Sequence, residues 1–308
     1  MILTVTLNPT LDKLYIVDDY QKGTVIRVNN AINSAGGKGL NVSRVLHLLG
    51  EDVIATGFLG GFTGEYINHL LSSLDIQKSF IKTDCETRSC VNIRDASGNM
   101  TEFLESGREI SQKYIDEFLE KYKLLLKDTN IVVISGSVPK GIPDILYSDL
   151  ILYAKKENKK VILDTSNNLL KKNLNSAPTL IKPNIHELAQ ILGIDISSKN
   201  QIVEAAQEIR NLGIETVVVS MGEQGAMIVC NEGIYHGIPP KINALNTVGC
   251  GDSMVAGFAY SISKNLNIED SIRTSIAVSA ANALSYNIGE FSKNDYDTLY
   301  HQVKVCKL

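Results

Sequence analysis

Short aliphatic and β-branched runs alternate along the chain with stretches in which apolar side chains recur every three or four positions. Ile2 to Leu7, Val53 to Phe58, Ile131 to Ser135, Val161 to Asp164 and Thr216 to Ser220 are near-continuous apolar runs of strand length. Parallel strands covered on both faces have this composition. Between them, Val42/Val45/Leu46/Leu49, Ile115/Phe118/Leu119/Tyr122 and Ile202/Ala205/Ala206/Ile209 follow the i, i+3, i+4, i+7 spacing of helices that bury one face. The alternation predicts an α/β fold with a mostly parallel central sheet and helices on both faces.

Two excursions break this rhythm. Residues 13–32 alternate weakly around Gly23, and residues 86–105 read as a hairpin around Ser97-Gly98-Asn99. Neither carries a helical period. They are expected to form a small β sheet projecting from a single domain of residues 1–308, as a lid and a dimer surface, or else as plain surface hairpins. Everything periodic after Gly251 reads as helical.

The sharpest local pattern is Asn246-Thr-Val-Gly-Cys-Gly-Asp-Ser-Met-Val-Ala-Gly257, a glycine-rich turn leading straight into an apolar helix. Glycines let the backbone turn so that the N–H groups of Gly249, Cys250 and Gly251 can point at an anion at the positive end of the helix. Asp252 falls in the first turn, where a carboxylate could take a proton from an attacking hydroxyl. An ordinary helix start looks the same. A second cluster, Ala35-Gly-Gly-Lys-Gly-Leu-Asn41, also precedes a helix and adds a cation, Lys38, and an amide, Asn41. It is not a P-loop, since Ile32 stands where that motif needs glycine and Gly39 where it needs Ser or Thr. No G-x-G-x-x-G follows the first strand, which removes the dinucleotide fingerprint.

In Lys182-Pro-Asn-Ile-His-Glu187, Asn184 and Glu187 lie three apart at a strand-to-helix junction. They could order the water shell of Mg2+ beside a nucleotide, or simply cap the helix. Ser220-Met-Gly-Glu-Gln-Gly225 and Ser135-Gly-Ser137 end strands with small residues, at the edge where open α/β sheets gather ligands. Arg27 and Arg88 lie in the two excursions, where guanidinium groups could clasp a phosphate.

Composition narrows the partners. With 34 acidic and 30 basic residues scattered along 308 positions and a net charge of −4, no block of like charge suggests nucleic acid or a lipid surface. Small anions must therefore be met by local groups. The five cysteines show neither CxxC spacing nor an even count, which fits reduced thiols in a cytoplasm. Asn8, Pro9 and Asp12 end the first apolar run too early for a signal sequence, and no run approaches the roughly 18 residues of a membrane span.

Taken in this order, the motifs resemble the ribokinase-like sugar kinases of the PfkB family. Gly36 to Arg44 resembles the first signature and Asn246 to Gly257 the second, and the likeness runs from Thr4 to the C-terminal helices. The resemblance implies a three-layer α/β/α ribokinase-like fold with a small β-sheet lid, and ATP with Mg2+ as cofactors. It implies Asp252 as base, the Gly249, Cys250 and Gly251 amides as anion hole, and Asn184 with Glu187 for the metal. Lys182, Asn184, Ser220, Gly222, Gly225 and Val248 would line the ATP site, with Asn282 a neighbour of the adenine. Asp12, Gly37 and Asn41 would hold sugar hydroxyls.

Asn8-Pro9, Lys38, Thr87-Arg88 and Ser135-Gly-Ser137 resemble the phosphate-sugar branch, so that Arg27, Lys38, Arg88 and Ser137 would converge on a phosphate already present. Within it the likeness is nearest to tagatose-6-phosphate kinases, then to 1-phosphofructokinases. A regulator that binds sugar phosphate and nucleotide without turnover is the alternative of another class. Asn246 departs from the Asp that commonly opens the second signature.

Overall fold

The computed structural model describes residues 1–18 and 20–308; Asp19, inside the first excursion, lies outside the described residues. Among the described residues the main sheet has 11 strands. Its middle is parallel: Leu180–Ile181, Lys160–Asp164, Ile131–Ser135, Ile2–Thr6 and Val53–Gly60 lie side by side in that order, the last four on apolar runs named above. Thr216–Ser220 continues the parallel set beyond Leu180–Ile181. Neighbouring residues of one strand enter opposite cores. Leu3, Val5, Val132 and Ile134 pack with helices Gln112–Leu125, Leu146–Lys156 and Lys199–Arg210, whereas Ile2, Ile131 and Val133 pack with Lys38–Leu48, Cys250–Ser263 and Ile268–Ala283. A strand buried on both faces needs no polar alternation, which is why it was legible as an unbroken run.

The other end of the sheet is antiparallel. Ala226–Cys230, Gly233–Ile238 and Lys304–Lys307 extend it from Thr216–Ser220. The last of these corrects the all-helical expectation for the C-terminal stretch. Its sequence, Lys-Val-Cys-Lys, is short and half polar, as suits an edge strand facing water.

A second, four-stranded sheet contains Asn30–Gly36, Thr10–Ile16, Arg88–Arg94 and Met100–Leu104, in that spatial order. Its first two strands begin before Lys13 and end after Ile32. The two excursions meet through parallel pairing of Thr10–Ile16 with Arg88–Arg94, which sets Asp12 opposite Cys90. Leu11 and Ala35 anchor the sheet in a small core with Leu40, Leu59 and Ile67.

Two close backbone approaches fix the helices that begin at the site. Gly39 lies where a Cβ would stand 2.2 Å from Thr6 Oγ1, so Lys38–Leu48 can press its first turn onto the Ile2–Thr6 strand. Gly257 lies where a Cβ would stand 2.4 Å from Ser275 Cα, in the contact between Cys250–Ser263 and Ile268–Ala283. Gly257→Ala is expected to push these helices apart at a cost of about 1–3 kcal/mol. A thermal melt with an unchanged midpoint would contradict that packing.

Candidate active site

The carboxyl ends of the parallel strands deliver Asn8, Ser137, Asp164, Lys182 and Ser220 to one edge of the main sheet. Two helices start over that edge, each from a glycine with positive φ: Gly37 at 104° before Lys38–Leu48, and Gly249 at 81° before Cys250–Ser263. An L side chain is strained in that conformation.

A hydrogen bond joins the two helix starts. Asn41 Nδ2 donates to Asp252 Oδ2 at 2.6 Å, while Arg44 Nη2 donates to Asn41 Oδ1 at 2.6 Å and to the Ile288 carbonyl at 2.8 Å. Arg44 also reaches the Ala35 carbonyl through Nη1. The glycine clusters, far apart in sequence, are thereby locked into one unit around Asp252. Burial pushes the Asp252 carboxyl up to about 6, with Asp164 adding to the rise and Lys38, Asn41 and Lys182 opposing it.

Beside Asp252 sits a buried charge cluster. Asp164 lies 3.4 Å from Lys38 Nζ and 3.4 Å from Lys182 Nζ. Burial alone would raise its pKa, but the two ammonium groups hold it below the usual carboxylate range. Asp164 in turn raises the pKa of Lys38. Lys182 is 7% exposed, and a methyl group on Gly251 would stand 3.3 Å from its Nζ. Two cations thus face the glycine turn and Asp252.

Of the three amides expected to face an anion, one is already bonded. The Cys250 N–H turns back to the Thr247 carbonyl at 3.3 Å, whereas the Gly249 and Gly251 N–H groups have no acceptor among the described residues. Val248 donates its N–H to Asn246 Oδ1 at 3.0 Å, and Asn246 Nδ2 donates to the Tyr286 carbonyl at 3.0 Å. That second bond gives Asn246 a physical reason, since an aspartate there would set a carboxylate against a carbonyl oxygen.

Several residues expected at the site have partners of their own. Asn282 is fully buried; its Nδ2 donates to the Val248 carbonyl at 3.1 Å and its Oδ1 accepts from Gly289 N at 2.9 Å, so it fixes the turn from behind. Gly225 packs where a Cβ would stand 2.0 Å from the Gly237 carbonyl, while Gly222 faces open space. Ser220 is half-buried and pairs by a β-bridge with Asn184. Arg27 is exposed and makes no hydrogen bond or ion pair among the described residues. Lys38 turns to Asp164 instead of joining Arg88 and Ser137.

Those two do form a corner. Arg88 Nη2 and Nε donate to the Asn8 carbonyl at 2.9 and 3.3 Å, Nη1 donates to the Glu105 carbonyl at 2.7 Å, and Asn8 Nδ2 donates to Ser137 Oγ at 3.1 Å. Arg108, not foreseen from the sequence, joins Asn8, Thr87 and Arg88 around a shallow pocket. On the same face of the small sheet, Asp12 is half-buried, and loss of water pushes its carboxyl up to about 6 against the pull of Arg44 and Arg88.

Asn184 and Glu187 form a capping box: Glu187 N donates to Asn184 Oδ1 at 2.8 Å and Asn184 N donates to Glu187 Oε2 at 2.9 Å. Among the described residues no group of three or more His, Cys, Asp or Glu could hold a metal ion. The second Glu187 oxygen, at the carboxyl edge, makes no hydrogen bond among the described residues. This set fits a hydrated Mg2+ carried by nucleotide phosphates and does not fit a closed protein cage.

Missed by sequence reading were Asp164 and Arg44. The one signal for Asp164 was a charge at the carboxyl end of a buried strand, and Arg44 was named only as the end of the first signature. No helix among the described residues is long and apolar enough to cross a membrane, and the five cysteines are free.

The chain is 40% identical to a tagatose-6-phosphate kinase of Staphylococcus epidermidis over 312 aligned positions, covering 100% of both chains. It superposes on phosphofructokinase-2 of Escherichia coli in complex with fructose-6-phosphate with a TM-score of 0.90, at 29% identity and 98% coverage of each chain. The tetrameric inhibited form of that enzyme gives a TM-score of 0.90 at 31% identity, again with 98% of each chain covered. The model of the pfkB family carbohydrate kinases matches residues 5–294, and with both glycine turns meeting at Asp252, the chain belongs to that family.

Proposed function

We propose that this carbohydrate kinase transfers the terminal phosphoryl group of ATP to the C1 hydroxyl of a ketohexose 6-phosphate, D-tagatose 6-phosphate, giving D-tagatose 1,6-bisphosphate. The observation that carries the reading is the pair of anion-seeking corners on either side of Asp12: Arg88 with Asn8 and Ser137 at one end, and Asp252 with Lys38, Lys182 and the Gly249 turn at the other. The full-length likeness to a tagatose-6-phosphate kinase supports this choice of ketose. ATP use follows from membership of a kinase family.

Arg88 and Ser137 hold the phosphate already on the sugar, and Asp12 takes ring hydroxyls. Asp252 accepts the proton of the attacking C1 hydroxyl while that hydroxyl's oxygen forms a bond to the γ-phosphorus and the bond from the γ-phosphorus to the β–γ bridging oxygen breaks. The electron pair leaves with ADP. Lys38 and Lys182, with the free Gly249 and Gly251 N–H groups, stabilise charge on the moving phosphoryl group. Lys182, Asn184, Ser220, Gly222 and Val248 line the nucleotide side, where Asn184 and Glu187 would face Mg2+. When bound, Mg2+ neutralises charge on the β and γ phosphates. The small sheet closes over the sugar as a lid, and its exposed Ile16, Phe103 and Leu104 support a homodimer through the same sheet. Free thiols fit a cytoplasmic setting.

Coupled ADP release on tagatose 6-phosphate, fructose 1-phosphate, fructose 6-phosphate and unphosphorylated tagatose tests the reading. The highest kcat/KM is expected with tagatose 6-phosphate; a preference for fructose 1-phosphate would move the acceptor to C6, and one for the free sugar would remove the phosphate corner. Arg88→Ala is expected to raise KM for the sugar phosphate by roughly 10- to 100-fold, the loss of a charge-assisted contact, with KM for ATP little changed. Equal rises for both substrates would contradict the clasp.

A further inference from the structure

Under the small sheet lies a cleft of ≈ 180 Å³, well above the roughly 10–15 Å³ that one water needs. Asp12, Leu14, Ile32 and Asn92 wall it from the sheet, and Ile288 and Glu290 from the segment opposite. Tyr286 belongs to that opposite segment, and Arg94 stands over its ring at 5.1 Å. The wall combines carboxylates and carboxamides with apolar side chains, a chemistry for hydroxyl groups and the C–H face of a sugar ring.

Asn92 stands out in this wall. It is 5% exposed, and its Oδ1 is buried without a hydrogen-bond partner among the described residues. A buried carboxamide oxygen with no donor is a cost in the free protein that a bound donor would remove. In the strand pairing Asn92 lies opposite Leu14 and Glu102, two residues, or about 7 Å, beyond Cys90, which is the partner of Asp12. Both side chains therefore project from one face at the spacing of successive same-face residues. Arg44 ties the far wall to the catalytic unit by bonding the Ile288 carbonyl and Asn41.

We infer that Asn92 is a substrate-binding residue whose carboxamide accepts a hydrogen bond from a secondary ring hydroxyl of the ketose, beside the hydroxyl taken by Asp12. The inference rests on the ketohexose phosphate reading. It makes an unusual demand: an apolar residue of similar size should improve the free protein while harming catalysis.

Steady-state kinetics and thermal melts of Asn92→Leu test this, with Asn92→Ser as a smaller second variant. Both variants are expected to lose at least 10-fold in kcat/KM for tagatose 6-phosphate with KM for ATP unchanged, and Asn92→Leu is expected to melt no lower than the wild type. Unchanged kcat/KM in either folded variant overturns the inference and leaves the kinase reading standing. So does a loss shared by both substrates together with a lowered melting temperature, which would make Asn92 a structural residue. A wild type inert toward every ketose phosphate overturns the kinase reading and this inference with it.

Discussion

Asp252→Asn is expected to cut turnover by roughly 10²- to 10⁴-fold, the usual cost of losing a general base, while ATP binding stays close to that of the wild type. The amide keeps an acceptor for the Asn41 Nδ2 bond that joins the two helix starts, so the loss should be chemical and not architectural. The pH dependence has a defined sign. The folded carboxyl is raised from 3.8 to about 6, and a base must be ionised to work, so wild-type kcat should fall as pH drops through about 6. Stability runs the other way. Because the folded form holds its proton more tightly than the unfolded chain, the penalty for ionising Asp252 begins above 3.8 and is complete above about 6. Asn carries no such penalty, and the variant should be more stable at neutral pH, by up to about 3 kcal/mol. Denaturant titrations at acid and neutral pH check this; a variant less stable at pH 7, or with near-normal turnover, would contradict the assignment.

Asp164→Asn is expected to have the largest effect on the fold. Lys182 is 7% exposed, and Asp164 is its ion-pair partner among the described residues. Breaking a buried pair from one side leaves an uncompensated charge and costs about 3–5 kcal/mol. Lys38 suffers less, since 39% of its side chain reaches solvent. Asp164 contributes with the opposite sign to Asp252: its folded pKa lies below the unfolded value, so its stabilisation is present above the unfolded value and lost as pH falls through the folded one. Removing both partners in Asp164→Leu/Lys182→Met should recover much of the loss, because no charge is then left buried alone. A single variant within 1 kcal/mol of the wild type by urea unfolding would show that the cluster is solvated and not closed.

Five strands of the parallel sheet were legible because burial on both faces writes an uninterrupted apolar run, whereas the short parallel strands Gln77–Lys78 and Ile81–Thr83 carry no such run. The edge strand Lys304–Lys307 was not legible either, since an edge needs no such run. The two glycine turns were legible as anion-seeking helix starts, but sequence spacing could not reveal that Asn41 and Asp252 touch, because that contact spans 211 positions. Asn184 and Glu187 show a deeper limit. A capping box and a pair of metal-facing oxygens demand the same residues three apart, and only the geometry shows that one Glu187 oxygen is already spent. Asn282 and Asn92 are the same residue type with opposite fates: one is saturated from behind the turn, the other is left with an unmet oxygen beside a cleft. Burial and partners decide between them, and neither is written locally. Arg27 and Arg88 likewise differ: Arg88 opens a strand of the small sheet and bonds the Asn8 and Glu105 carbonyls, whereas Arg27 lies outside its strands and is exposed.

The most direct test is the ³¹P spectrum of the wild-type protein with ATP and D-tagatose 6-phosphate. One ADP should form for each new phosphate ester at C1, with the original C6 ester intact and both signals from one sugar. ADP formed without a second ester, or no ADP at all, would contradict phosphoryl transfer to the ketose from the site built around Asp252.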